Sequence, residues 1–326
     1  MVKRLTVAAA LSVALGSGVT ISQSPAEVER HVAAAKVAAG SDHGALFDRI
    51  CAEAQAIGNP RRGRGGAGRR GGPRPTPPRE SWHAEPVQVF DNLYFLGMTE
   101  YSAWAVTTSD GIILIDAIFD YSIEDEVVDG LTALGLDPAD IKYVVISHAH
   151  LDHAGGAKYL QERYGAQVVM AAADYDLLDR QNPTWKPARD IVATDGHKLT
   201  LGDTTVTLYL TPGHTEGTIS TLVPVRDRGR SHLAAAWGGT AFNFGPNRDR
   251  LGMYIDSAAR FRDIVEQAGA DVLIANHTNF DGSKTKLPAL AARQPGDPHP
   301  YVIGTDTVAR YLTVAHECAQ AALAGL

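Results

Sequence analysis

The sequence predicts an α/β protein in which β-sheets are covered by helices. Apolar runs of strand length, among them Ile112-Ile113-Leu114-Ile115 and Tyr143-Val144-Val145-Ile146, alternate with helical stretches. Turn signals such as Ser109-Asp110-Gly111 join neighbouring strands as hairpins. The 32 glycines and 17 prolines supply the many turns such a fold needs. This pattern favours sheets with helices over a bundle or an all-β sandwich, and no internal repeat is visible.

The N-terminus comes first. Lys3 and Arg4 precede an apolar run from Leu5 to Leu15, and small and polar residues follow. Residues 1–24 therefore resemble a secretory signal peptide. The run is shorter than the roughly 20 residues a transmembrane helix requires. The expectation is an exported protein, periplasmic or secreted, with no membrane span after cleavage. Residues 25–59 read as a helical extension, Ala-rich, with Leu46, Ile50 and Cys51 on one face. Residues 60–81 form an Arg/Gly/Pro-rich linker, with seven arginines between Pro60 and Arg79. Such a stretch buries too little apolar surface to offset its chain entropy. Its Arg-Gly pairs could bind RNA or an anionic surface, but a solvated basic linker is the simpler account of an exported chain.

Residues 82–326 carry the strand and helix pattern of a catalytic domain. Val87–Leu96, Ala103–Val106 and Gly111–Asp116 read as strands, and Tyr121–Leu134 as a helix ended by Gly135. Ile141–Ser147 is a buried strand, Ala154–Tyr164 a helix closed by Gly165, and Gln167–Ala171 a strand before a helix near Asp174–Asp179. Strands follow at Thr205–Leu210, Gly217–Val223 and His232–Trp237. Then come a helix at Ala258–Ala268, a strand at Asp271–Ala275 and a closing helix at Thr307–Ala324.

The bulk numbers exclude some classes. With 326 residues, 44% hydrophobic and 21% charged, the chain can bury a sizeable core. A net charge of −7 argues against a protein that coats nucleic acid. Two cysteines, Cys51 and Cys318, are too few for a disulfide scaffold or a four-cysteine zinc module. They can form one disulfide in an oxidising compartment or stay as buried thiols, and the sequence leaves both open.

The decisive segment is His148-Ala149-His150-Leu151-Asp152-His153, set where a buried strand runs out and a helix begins. Alternate residues of an extended chain point the same way, so His148 and His150 can face one metal. The following turn can aim Asp152 and His153 at a second. Zinc accepts imidazole nitrogen and carboxylate oxygen, and catalytic sites keep a position open for water. His214, in Thr211-Pro212-Gly213-His214-Thr215, and His277, in Ala275-Asn276-His277-Thr278, each sit just past an apolar strand. The remaining histidines, His31, His43, His83, His197, His232, His299 and His316, lack ligand spacing and read as ordinary residues.

The HxHxDH segment, the Pro-Gly-His-Thr turn and the last histidine after a strand resemble the metallo-β-lactamase superfamily, over roughly Pro86–Leu326. The resemblance implies an αββα sandwich of two mixed sheets flanked by helices. It implies two zinc ions, the first held by His148, His150 and His214, the second by Asp152, His153 and His277. Asp116 is similar to the family's carboxylate that orients a ligand histidine. Asp195-Gly196 is similar to a structural turn. Glyoxalase II enzymes and related lactonases carry a metal-bridging Asp where Gly239 stands here, and B1 and B2 β-lactamases carry a cysteine in that region. What remains is most similar to subclass B3.

The expected function is opening of a β-lactam amide by a metal-bound hydroxide, with Asp152 orienting it as the catalytic residue. A lactone, thioester or other carbonyl substrate is the alternative, since metals read the carbonyl and not its surroundings. The partner is a small molecule. The segments Gln181–Ala193, with Pro183 and Trp185, and Thr240–Phe242 are the expected pocket walls.

Overall fold

The computed structural model describes residues 24–57 and 76–326. The segment expected to be a signal peptide, up to residue 23, and most of the expected linker lie outside the described residues. Two sheets pack face to face. The first runs β1 (Val87–Phe90), β2 (Leu93–Phe95), β3 (Trp104–Thr108), β4 (Gly111–Ile115), β5 (Ile141–Val145), β6 (Gln167–Ala171) and β7 (Ile191–Ala193) in that spatial order. Its β1–β4 half is antiparallel, and β4 to β7 pair in parallel. The second contains β8 (His197–Leu201), β9 (Thr204–Leu210), β10 (Ile219–Asp227), β11 (Arg230–Trp237) and β12 (Val272–Ala275) in the order β12-β11-β10-β9-β8. Only β11 and β12 pair in parallel there.

Period-two alternation sorts the side chains into layers. Along β3 and β4, Trp104, Val106, Ile113 and Ile115 enter the core between the sheets, while Ala105, Ile112 and Leu114 face the outer helices. On β12, Val272 and Ile274 point inward, and Leu273 and Ala275 point to the other helical layer. Strands buried on both faces read as unbroken apolar runs, and so they do here.

The N-terminal helices are α1 (Pro25–Ala39) and α2 (Gly44–Ile57). A π-helical stretch, Glu124–Val128, leads into α3 (Asp129–Ala133). That stretch, with α4 (Leu151–Ala154), α5 (Ala157–Tyr164) and α6 (Ala172–Gln181), covers the first sheet. The second sheet is covered by α7 (Arg248–Ala268) and α9 (Thr305–Ala324), with α8 (Ser283–Ala291) between them in sequence. The helical stretch at the N-terminus is thus two helices that pack on α9, and Cys51 is disulfide-bonded to Cys318 there. No helix among the described residues is long and apolar enough to cross a membrane.

Several element boundaries differ from the sequence expectation. Val87–Leu96 is a hairpin, because Asp91-Asn92 turns the chain between β1 and β2. The strands β7 and β8 and the helix α8 were not foreseen. Helix α7 begins ten residues earlier than Ala258, where the Asn247 side chain caps it by accepting from the Arg250 N–H.

Candidate metal centre

Five strand ends converge at one edge of the sandwich. The loop after β5 carries His148, His150, Asp152 and His153, β9 leads to His214, and β12 to His277. Asp116 follows β4, and Gly238–Ala241 follows β11. Parallel strands that finish on one edge place their C-terminal residues together, which is why loop residues distant in sequence meet here.

All six expected donors come together in two groups, His148/His150/His214 and Asp152/His153/His277. His214 Nε2 lies 3.1 Å from both His148 Nε2 and His150 Nδ1. Nitrogens held ~2.0–2.1 Å from a tetrahedral ion stand ~3.3 Å apart, so this spacing suits zinc. The far sides of the rings fix the tautomers. His148 Nδ1 donates to the Gly238 carbonyl at 2.8 Å, and His214 Nδ1 to that of Ala241 at 2.7 Å. Both Nε2 atoms must then present lone pairs to each other, an arrangement that only a shared cation makes favourable.

The second group tells the same story. His153 Nδ1 donates to Asp116 Oδ2 at 3.0 Å, leaving Nε2 buried without a hydrogen-bond partner among the described residues. That orphaned nitrogen is 3.3 Å from Asp152 Oδ2, which lies 3.7 Å from His277 Nε2. An orphaned buried nitrogen aimed at a carboxylate and a second imidazole is the geometry of an ion site.

The charges agree. Burial drives His148 well below the ordinary imidazole range and both His214 and His277 down to about 3. Burial also lowers His150. Burial opposes a charge on His153 too, but the carboxylates of Asp152 and Asp116 outweigh it and hold the ring protonated up to about 10. Burial would raise Asp152, and the neighbouring imidazoles, His153 first, pull it below the usual carboxylate range instead. A field that traps a proton at His153 will favour a metal cation in its place.

Asp116 has φ 61° and Ile118 φ 42°, left-handed values that β-branched side chains in particular avoid. Asp116 is held there by its own contacts. It accepts the Ser147 N–H at 2.7 Å and the Ser147 hydroxyl at 2.8 Å, besides His153. One carboxylate thus fixes both the strand exit and a ring of the second group.

Glycine is required both beside the His214 ring and in the turn that holds it. A Cβ on Gly239 would stand 2.4 Å from the His214 Cβ, so no side chain fits beside that ring. Gly213 has φ 148°, and a Cβ there would meet Tyr254 at 2.6 Å.

Sequence reasoning missed four contributors. Asp174, buried at the start of α6, accepts the Ala149 N–H at 2.7 Å, the Thr215 hydroxyl at 2.8 Å and the Gly217 N–H at 3.0 Å. It ties the first histidine loop to the turn that holds His214, and burial pushes its pKa up. Arg250 of α7 donates to the Gly213 carbonyl at 2.8 Å and also to that of His214. Arg49 and Glu53 of α2 line the cavity with Asp152 and His277. None has a spacing pattern that marks it; a charged residue on an amphipathic helix reads as solvated face. Of the expected walls, Thr240, Ala241 and Gln181 do line the cleft, whereas Trp185 lines a separate recess with Tyr159. The other histidines are ordinary where hydrogen-bonded: His43 donates to the Thr307 carbonyl, His299 to that of Val89, and His232 pairs with Asp271.

Residues 97–227 match the family model described as the metallo-β-lactamase superfamily. An N-acyl homoserine lactonase, AttM, of Azorhizobium caulinodans is 31% identical over 182 residues, covering 51% of this chain and 69% of that protein. The corresponding protein of Agrobacterium fabrum is 38% identical over 107 residues, 29% of this chain, and the match spans only 41% of that relative's length. Among solved structures, BJP-1, a subclass B3 metallo-β-lactamase of Bradyrhizobium japonicum, superposes with a TM-score of 0.62 at 27% identity, covering 70% of this chain and 89% of that one. Fold, strand-end donors and these likenesses agree, and the chain belongs to the metallo-β-lactamase superfamily.

Proposed function

We propose that this chain is an exported, zinc-dependent hydrolase of the B3 type that opens a β-lactam amide. Its family is zinc-dependent, and the donor set of imidazoles with one carboxylate suits that ion. The observation that carries the reading is at Gly239. A side chain there would collide with His214, so the acid that bridges the metals of glyoxalase II and related lactonases has no room at this position. Asp152 is then the sole carboxylate in the two donor groups.

His148, His150 and His214 would hold the first ion and Asp152, His153 and His277 the second. Bound there, two zinc ions would acidify a water and polarise the scissile carbonyl. The chain's own residues do the rest. Asp152 turns Oδ2 to His153 and His277, leaving its other oxygen to orient the attacking water. Asp116 keeps His153 in one tautomer, and the Gly238 and Ala241 carbonyls do the same for His148 and His214. The water oxygen adds to the carbonyl carbon, the carbon–nitrogen bond breaks, and the leaving nitrogen takes up the proton that the attacking water gives up. The disulfide accords with an oxidising compartment and so supports export.

The lactonase relatives favour a second reading, hydrolysis of an acyl-homoserine lactone. A penicillin, a carbapenem and such a lactone assayed on one zinc-loaded sample separate the two. Turnover of a β-lactam ahead of the lactone is expected, and a lactone cleaved much faster than either β-lactam would overturn the proposal.

A further inference from the structure

The N-terminal helix α2 reaches the metal cavity. Its buried face (Leu46, Ile50, Cys51, Ala54) packs on the α7/α9 layer, and Cys51 is bonded to Cys318. That docking turns the adjacent face, with Arg49 and Glu53, onto the rim of the cavity that contains His148, His150, Asp152 and His277. Glu53 is used on both oxygens. Oε2 accepts the Phe242 N–H at 3.0 Å, and Oε1 meets Arg49 Nε at 2.7 Å. The first contact fixes the loop whose Ala241 carbonyl orients His214. The second holds the Arg49 side chain by its Nε. Its two terminal nitrogens have no acceptor among the described residues, and the side chain is 62% exposed.

An arginine held at Nε by a carboxylate that is itself fixed presents its other donors as a ready fork. The other acid on this rim, Glu100, is paired with Lys284. With cations in the two donor groups, the cavity floor is positive and Arg49 extends that potential outward.

We propose that Arg49 is a specificity-determining residue that binds an anionic group, a carboxylate, on the substrate while its carbonyl sits at the metal centre. This rests on the hydrolase reading and deepens it, because it selects anionic over neutral substrates. The segment that supplies the residue lies outside the sandwich and is docked to it by the disulfide.

The test compares a penicillin with its methyl ester, which differ only in that carboxylate, on the zinc-loaded full chain. For a largely exposed contact, the ratio of kcat/KM for acid over ester should fall about two- to fivefold in Arg49→Ala. Arg49→Lys should recover part of the ratio, and Arg49→Gln, which keeps donors without charge, should not. Thermal unfolding of each variant separates loss of the contact from loss of the fold. An unchanged ratio in a folded Arg49→Ala protein overturns the proposal. If the wild type cleaves neither compound, the β-lactamase reading fails by itself. Calorimetric binding of the penicillin to the zinc-loaded protein then decides: weaker binding by Arg49→Ala upholds the assignment, and equal or absent binding refutes it.

Discussion

At the scale of single residues, three of the five rings at the centre, His148, His153 and His214, have far nitrogens that are already committed. Asp116 serves His153 and both donor groups of Ser147, so replacing it disturbs the second group more than the first. Asp116→Asn should weaken zinc at the second group by roughly 10–100-fold, as loss of a partner behind a ligand usually does. Competition with a chromophoric chelator reads this, and equal weakening of both ions would contradict it. A second expectation concerns protons. In the metal-free protein His153 is held protonated up to about 10, while His214 is lowered to about 3 and His148 and His150 are also lowered. Loading the second group at pH 7–8 must therefore expel about one proton, whereas the first group, already neutral, releases almost none. Second-site affinity rises with pH up to about 10 and first-site affinity stays flat above neutrality. Calorimetry in buffers of different ionisation enthalpy distinguishes the two events, and equal proton release at both groups would sink the assignment.

At the scale of elements, the docked pair α1 and α2 changes what truncation is expected to do. Treated as an extension, residues 25–59 look dispensable. Packed on α9 and bonded through Cys51–Cys318, helices α1 and α2 cover an apolar helix face and fix the 240–243 loop. Removing the cross-link with Cys318→Ala should cost about 2–4 kcal/mol, in line with disulfides that close long loops. Deleting everything before Ser81 should cost more, because Ala315, Cys318 and Ala322 of α9 would face water. Denaturant unfolding of full-length, Cys318→Ala and truncated proteins gives the order, and a truncated protein as stable as the parent would contradict it. The same elements show what was legible. Gln167–Ala171 reads at its observed bounds because both of its faces are apolar. The edge strands β7 and β8 were invisible because one has three residues and the other buries little beyond Leu199. Helix α8 contains Pro288 and little apolar surface, so no periodicity announces it.

At the scale of the whole molecule, two mixed sheets bring the ends of β4, β5, β9, β11 and β12 to one edge, and the donors ride on those ends. The six candidate donor residues could be read from the chain because each follows an apolar strand and four sit within one short motif. Asp174, Arg250, Arg49 and Glu53 could not. Each is a lone charge on a helix whose role exists only once the layers are stacked. The central claim is that this edge holds two ions, one in each donor group. Metal analysis of the purified protein at saturating zinc tests it most directly. About two zinc ions per chain are expected, and one ion or fewer would contradict the account.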